Sequence, residues 1–131
     1  ARHQADRAGR GWSTCEEPRD LAGVLAGGSQ AVLIDCLGLW CSNLLWAAEQ
    51  AEVPFGEDEA TAAGRTLVAA CRARPGPVVV VSNEVGLGVI PENALARRFI
   101  DCLGRINQTV AAAADAVVLC VAGIPLAVKG A

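Results

Sequence analysis

The chain has 131 residues, of which 53% are hydrophobic, 19% charged and 4% aromatic, and its formal net charge is −3 at pH 7. This length suits a single domain, and the apolar content excludes a disordered chain. The acidic balance argues against broad electrostatic binding to nucleic acid, but it allows one phosphate ligand in a local basic pocket.

The N-terminal third is predicted to place one buried strand between two helices. In chain order we predict a polar, basic loop or the tail of a helix over residues 1–15, a helix over 16–25, a strand over 31–36 and a helix over 37–48. Gly27 and Gly28 are expected to end the first helix. The strand is a continuous apolar run that closes on Asp35, a pattern typical of a buried parallel strand.

The rest of the chain repeats this alternation. We predict an acidic loop and the start of the next helix over residues 49–59, with that helix running to about Arg72. A turn over 74–77, a buried strand over 78–81, a helix over 91–114, a strand over 116–121 and a turn over 123–125 follow. Helical spacing predicts that the longest helix buries one stripe. Its members are Leu95, Phe99, Cys102, Leu103, Ile106 and Val110; the helix before it buries Leu67, Val68 and Cys71.

This order of elements predicts an α/β fold of three layers around a mainly parallel sheet, with residues 1–131 in a single domain. Three strands are fewer than the five or six of a typical sheet. We therefore expect further strands, up to a whole βα unit, on the N-terminal side.

The six cysteines favour free thiols over a disulfide framework. Cys36, Cys71, Cys102 and Cys120 lie in apolar segments, no CxxC pair exists, and the single histidine cannot complete a typical zinc set. We expect small buried hydrophobic side chains in a reducing cytoplasm. No apolar stretch is long enough to span a bilayer, and no signal peptide is predicted.

Two groups of polar residues follow the predicted strands, where open α/β sheets bind ligands. Asp35 can hold Mg²⁺ or accept hydrogen bonds from a base or ribose, or it can cap the next helix; its pattern alone favours neither. Asn83 and Glu84 open a loop with Gly86 and Gly88, which is either a ligand loop or an ordinary connection. No GxGxxG or GxxxxGK[ST] motif occurs in these residues.

His3 lies in a basic segment with Arg2, Arg7 and Arg10. A lone histidine near a terminus is usually an exposed bystander. The alternative is a nucleophile, since neutral imidazole can attack phosphorus while arginines neutralise the transferred phosphate. Spacing alone favours the bystander.

Several blocks of the sequence closely resemble one family. They are VVVVSNEVGLGVIPENALARRF at 78–99, GRINQ at 104–108, AAAAD at 111–115, DCLGLW at 35–40 and SNLL at 42–45. They resemble the bifunctional adenosylcobinamide kinase / adenosylcobinamide-phosphate guanylyltransferase of cobalamin biosynthesis. The similarity covers essentially the whole chain, and the run SNEVGLGVIPENALAR is highly specific to that family.

The resemblance implies a chemistry and a site. His3 would attack the α-phosphate of GTP and pass GMP to adenosylcobinamide phosphate, with Arg7, Glu16 and Asp35 binding the nucleotide and Mg²⁺ as cofactor. Asn83 and Glu84 form a possible site loop. The family's fold resembles the P-loop, RecA-like core, and its members are homotrimers.

The family's P-loop, GGxRSGKS, and its following strand have no counterpart in residues 1–131. We therefore expect the kinase step, with GTP or ATP as donor, only in the complete protein. The alternative is a non-catalytic, truncated or degenerate nucleotide-binding or oligomerisation module. A weaker third interpretation is another P-loop kinase without guanylyl transfer, against which the histidine segment argues.

Overall fold

Helices and strands alternate through residues 9–130, the part of the chain that the computed structural model describes. The elements are α1 (Leu21–Leu25), β1 (Val32–Asp35), α2 (Leu37–Gln50), α3 (Glu57–Ala73), β2 (Val78–Val81), α4 (Ala94–Ala113), β3 (Val117–Val121) and β4 (Ile124–Lys129). This order confirms an α/β chain. No helix of the described residues is both long enough and apolar enough to cross a bilayer.

Strands β1 and β2 pair in parallel, with Val32 opposite Val78 and Asp35 opposite Val81. Parallel strands need a long crossover connection, and α2 and α3 supply it. The carboxyl ends of both strands therefore lie side by side at one edge of the pair. This arrangement places the residues after Asp35 and after Val81 next to each other.

The third strand does not join this parallel pair within residues 9–130. β3 pairs antiparallel with β4 in a separate two-stranded sheet, with Val121 opposite Ile124. The expected mainly parallel sheet is therefore wrong for β3, and so is the predicted turn over 123–125. Ala122 and Gly123 both have positive φ, 51° and 79°, which suits a two-residue hairpin turn.

The predicted full burial of the strands is also wrong for the described residues. Ile34 is buried, and Val78 and Val80 pack against the core, but Val79 is 59% and Val81 41% exposed. Side chains alternate between the two faces of a strand. The core cluster therefore covers one face of the β1–β2 pair and leaves the other face open among these residues.

The core lies between the helices and the covered face of β1 and β2. Its fully buried side chains are Leu25, Leu37, Cys41, Leu67, Cys102, Leu103 and Ile106. Burial of each large apolar side chain contributes about 1.5–3 kcal/mol. The predicted stripe of α4 is confirmed in its middle, but Leu95 is 59% exposed because it lies in the first turn of the helix, beyond the core.

Helix α1 is shorter than its predicted range of 16–25. It begins after Asp20, whose Oδ1 accepts a 2.9 Å hydrogen bond from the Gly23 amide. Glu17 accepts 2.8 Å bonds from the amides of Arg19 and Asp20. These two caps hold residues 17–20 in a turn, so the helix cannot start at the earlier proline.

All six cysteines are free thiols, but fewer are buried than expected. Cys41 and Cys102 are completely buried, whereas Cys36 and Cys71 are partly exposed and Cys120 is exposed. The prediction of a buried hydrophobic role is therefore wrong for Cys120, which lies on the open hairpin. Burial and the neighbouring Cys102 raise the pKa of Cys41 from 9.0 to about 12.

Candidate functional site

Asp35 stands at the carboxyl end of β1, at the edge where the sequence predicted a ligand site. Its side chain is exposed and makes no hydrogen bond or ion pair with any residue that the structure describes. A carboxylate that stabilises nothing around it is free to bind a cation or a hydrogen-bond donor. This is the feature that a ligand role for Asp35 requires.

The capping alternative for Asp35 is wrong. The residue at the N-cap of α2 is Cys36, and no side chain caps the first turn of that helix within residues 9–130. The peptide bond between Asp35 and Cys36 is cis. Amides of an uncapped first turn favour negative charge nearby, so α2 begins with a weakly anion-attracting end two residues after Asp35.

Hydrogen bonds hold the segment after β2 against α4, and the Asn83 side chain of that segment reaches the start of α2. Ser82 donates to Asn107 Oδ1 at 2.5 Å, and Asn107 Nδ2 donates to the Asn83 carbonyl at 2.9 Å. The Asn83 side chain in turn lies beside α2, where the Cys36 thiol is 3.9 Å from its Oδ1. At Gly38 an added Cβ would lie only 2.5 Å from that oxygen, so a larger residue there would displace the Asn83 side chain.

The Glu84 side chain forms its hydrogen bond within its own loop. Its Oε1 accepts a 2.6 Å hydrogen bond from the Gly86 amide, and it has no other hydrogen bond or ion pair among the described residues. The loop beyond it exposes apolar side chains, with Leu87 84%, Val89 93% and Ile90 80% exposed. Asn83 is therefore the residue of this pair that the structure ties to the Asp35 side of the site.

Glu16 belongs to a segment that lies along α2. Trp40 Nε1 donates a 2.7 Å bond to the Arg19 carbonyl, and Asn43 Nδ2 donates a 3.1 Å bond to the Pro18 carbonyl. These bonds attach residues 18 and 19 to the helix that starts beside Asp35. Glu16 itself is exposed.

His3 and Arg7, the predicted nucleophile and phosphate-binding arginine, lie outside the described residues. Arg10 is described and exposed. Among the described residues, the candidate site therefore centres on Asp35, Asn83 and the start of α2.

Asn107 is the residue that sequence reasoning missed. It lies four residues after Leu103 and three before Val110, on the apolar stripe of α4. Asn107 is partly exposed, and a polar side chain beside an apolar stripe signals a hydrogen-bonding role. The sequence shows this polar residue, but it does not show that the hydrogen-bond partners of Asn107 lie in the segment after β2.

No group of three or more His, Cys, Asp or Glu side chains able to hold a metal ion occurs within residues 9–130. Two shallow hollows of about 580 and 520 Å³ lie elsewhere, one at the start of α3 beside Arg105 and one between α3 and α4. Neither is lined by residues of the strand ends. The strand-end site is thus an open surface in the described part of the chain.

Comparison with known proteins agrees with the resemblance carried by residues 35–45 and 78–115. The profile of the family described as cobinamide kinase / cobinamide phosphate guanyltransferase matches residues 1–128. The chain is 39% identical over 133 residues to a bifunctional adenosylcobalamin biosynthesis protein of Pseudomonas aeruginosa, covering 99% of this chain and 72% of that protein. It is also 39% identical over 136 residues to the Salmonella typhimurium protein of the same description, covering 97% of this chain and 75% of the relative. On the extent of these matches, the chain belongs to the cobinamide kinase / cobinamide phosphate guanyltransferase family.

Proposed function

We propose that this chain carries the guanylyltransferase step of cobalamin nucleotide-loop assembly. His3 attacks the α-phosphorus of GTP, a P–N bond forms and pyrophosphate leaves. A phosphate oxygen of adenosylcobinamide phosphate then attacks the same phosphorus, the P–N bond breaks and adenosylcobinamide-GDP is released. Family membership supports the substrates, and one structural observation carries the site: the Asp35 carboxylate is unpartnered among the described residues at the edge where parallel strands end.

The nucleotide is proposed to bind beside Asp35, with Glu16 and Arg7 as further contacts. Mg²⁺ is usually held by one or two carboxylates together with the phosphates of its nucleotide. Asp35 fits that pattern, because it is exposed and no three-ligand cluster within residues 9–130 provides a separate metal cage. The bound ion would neutralise phosphate charge, while Asp35 would fix its place.

We assign the adenosylcobinamide kinase step, with GTP or ATP as donor, to the complete protein. Residues 1–131 contain no GxxxxGK[ST] motif, whose backbone amides and lysine cradle the phosphates of the donor. The parallel β1–β2 pair, its helical crossover and the polar strand ends support a P-loop, RecA-like core as the complete arrangement. We further propose a cytoplasmic homotrimer, on the family resemblance.

The decisive experiment uses the full polypeptide as its gene encodes it, incubated with Mg²⁺ and α-³²P-GTP. The protein is expected to acquire a label that is labile in acid and stable in alkali, as a phosphoramidate is. Adenosylcobinamide phosphate is expected to remove that label and to yield labelled adenosylcobinamide-GDP. Retention of the label after this addition would contradict the transfer step.

Two variants test the nucleophile. His3→Ala is expected to abolish labelling without changing the circular dichroism spectrum, while the neighbouring Gln4→Ala retains it. Labelling that survives in His3→Ala removes His3 from this role. If the unaltered protein takes no label at all, the non-catalytic nucleotide-binding or oligomerisation module becomes the better explanation.

A further inference from the structure

Two hydrogen bonds connect Asn107 of α4, a residue with no role in the proposed chemistry, to the segment of the candidate site after β2. Asn107 uses both halves of its amide, since Oδ1 accepts from Ser82 and Nδ2 donates to the Asn83 carbonyl. Because the Asn107 side-chain amide has two hydrogen-bond partners in the same segment, it restricts both the orientation of that segment and its distance from α4.

The segment held in this way is the one that meets α2. Asn83 Oδ1 lies 3.9 Å from the Cys36 thiol and directly over Gly38, in the first turn of α2. Cys36 directly follows Asp35 in the chain. The Asn83 side chain therefore lies beside the residue next to Asp35. Asn107 lies in α4, one element away, and contacts neither Cys36 nor Asp35 in the described structure.

We propose that Asn107 is a positioning residue: through Ser82 and the Asn83 carbonyl it holds the segment after β2 against the start of α2, beside Asp35. The inference rests on the proposed function for its consequence, the rate of guanylylation. Its structural part, the placement of Asn83 over Cys36, stands on the contacts alone.

Cys36 provides a direct readout of this placement. Its thiol is partly exposed, and Asn83 covers one side of it. In Asn107→Ala both hydrogen bonds are lost, so the segment moves away more often and alkylation of Cys36 by iodoacetamide becomes faster. We expect an increase of about fivefold to tenfold, which is at the lower end of the effect of losing two ordinary hydrogen bonds. Peptide mass spectrometry separates Cys36 from the exposed Cys15 and Cys120.

Gln108 is the matched control. It is the next residue of α4, is exposed, and makes no hydrogen bond with any residue in the described range. Gln108→Ala is expected to leave the alkylation rate of Cys36 unchanged. In Asn107→Asp the acceptor for Ser82 remains but the donor to Asn83 is lost, so its rate should fall between those of the unaltered protein and Asn107→Ala.

The same variants are then assayed for labelling by α-³²P-GTP in the full protein. Asn107→Ala is expected to slow labelling about tenfold per folded molecule at saturating GTP, and to add little in an Asn83→Ala background. Two results would overturn the proposal: Cys36 alkylation at the unaltered rate in Asn107→Ala, or a labelling loss that disappears once the unfolded fraction is subtracted. Absence of labelling in the unaltered protein would instead refute the proposed function, and the alkylation rates would still decide the placement.

Discussion

The indole Nε1 of Trp40 donates a 2.7 Å hydrogen bond to the main-chain carbonyl of Arg19, across twenty-one positions of the chain. Trp40 is 7% exposed, in the second turn of α2. This bond fastens the segment that carries Glu16 to the helix that begins beside Asp35. Together with the bond from Asn43 to the Pro18 carbonyl, it connects the two segments that carry Glu16 and Asp35, the acidic residues proposed to bind the nucleotide.

Trp40→Phe is expected to retain the ring and lose this bond. The free energy of unfolding should fall by about 1 kcal/mol, the usual contribution of one hydrogen bond, and the amides near Arg19 should exchange faster. Urea unfolding and hydrogen exchange measure these changes. Trp46→Phe is the control, because Trp46 lies on the same helix and is 68% exposed. Equal effects of the two substitutions would contradict a specific role for the Trp40 bond.

Asp35→Asn is expected to weaken binding of Mg²⁺-GTP by the full protein about tenfold or more, because the carboxylate charge is lost where a cation or base would sit. Stability should change by less than about 0.5 kcal/mol, since Asp35 is exposed and has no partner among the described residues. Calorimetric titration and thermal unfolding test both statements. Asp101→Asn, on the exposed surface of α4, is the charge-matched control. Unchanged affinity in Asp35→Asn would remove this residue from the site.

The Arg74 guanidinium donates hydrogen bonds to three main-chain carbonyls that precede β1. It donates to Leu25 and Gly27 at 3.0 and 3.2 Å through Nη1, and to Gln30 at 2.8 Å through Nη2. Lysine has a single nitrogen and cannot reproduce this fork. Arg74→Lys is therefore expected to lower the free energy of unfolding by about 2 kcal/mol in urea. Arg65→Lys, at an exposed position without a described hydrogen bond, should change it by less than about 0.5 kcal/mol; comparable losses in both would show that the fork contributes nothing.

The buried thiol of Cys41 predicts a loss of stability in alkali. Its pKa rises on folding from 9.0 to about 12, because burial and Cys102 disfavour the thiolate. Below pH 9 the thiol is neutral in both states and its contribution is complete. As pH rises from 9 toward 12, only the unfolded state ionises, so the free energy of unfolding decreases.

Urea unfolding at pH 8 and pH 10 measures this decrease. Cys41→Ala removes the group and is expected to make the decrease smaller, while its packing loss lowers stability equally at both pH values. Cys120→Ala is the control, because it removes an exposed thiol that lies outside the core. An unchanged slope in Cys41→Ala would contradict the assignment.

The types of most elements were predictable, because each depends on a local pattern. β2 matches its predicted range of 78–81, and α2 and α3 begin and end close to theirs. The start of α1 was not predictable from its apolar spacing, since Glu17 and Asp20 compete for the same amides. β4 was missed because Pro125 suggested a turn, whereas two positive φ angles at Ala122 and Gly123 make the hairpin.

The candidate site likewise contains residues that the sequence predicted and one that it did not. Asp35 and Asn83 were found because polar residues directly after apolar runs mark strand ends. Asn107 was missed, because its importance depends on which segment packs over α4. The roles predicted for His3 and Arg7 concern residues beyond the described range and stay predictions.

The amino-acid sequence by itself determined the alternation of helices and strands, the polar residues at the strand ends and the family, because periodicity and contiguous motifs are properties of neighbouring residues. Only the tertiary structure decided that β3 pairs with β4, that one face of β1 and β2 stays open among the described residues, and that Asp35 caps no helix. Such choices depend on contacts between distant residues, whose free energies appear only when the elements pack together.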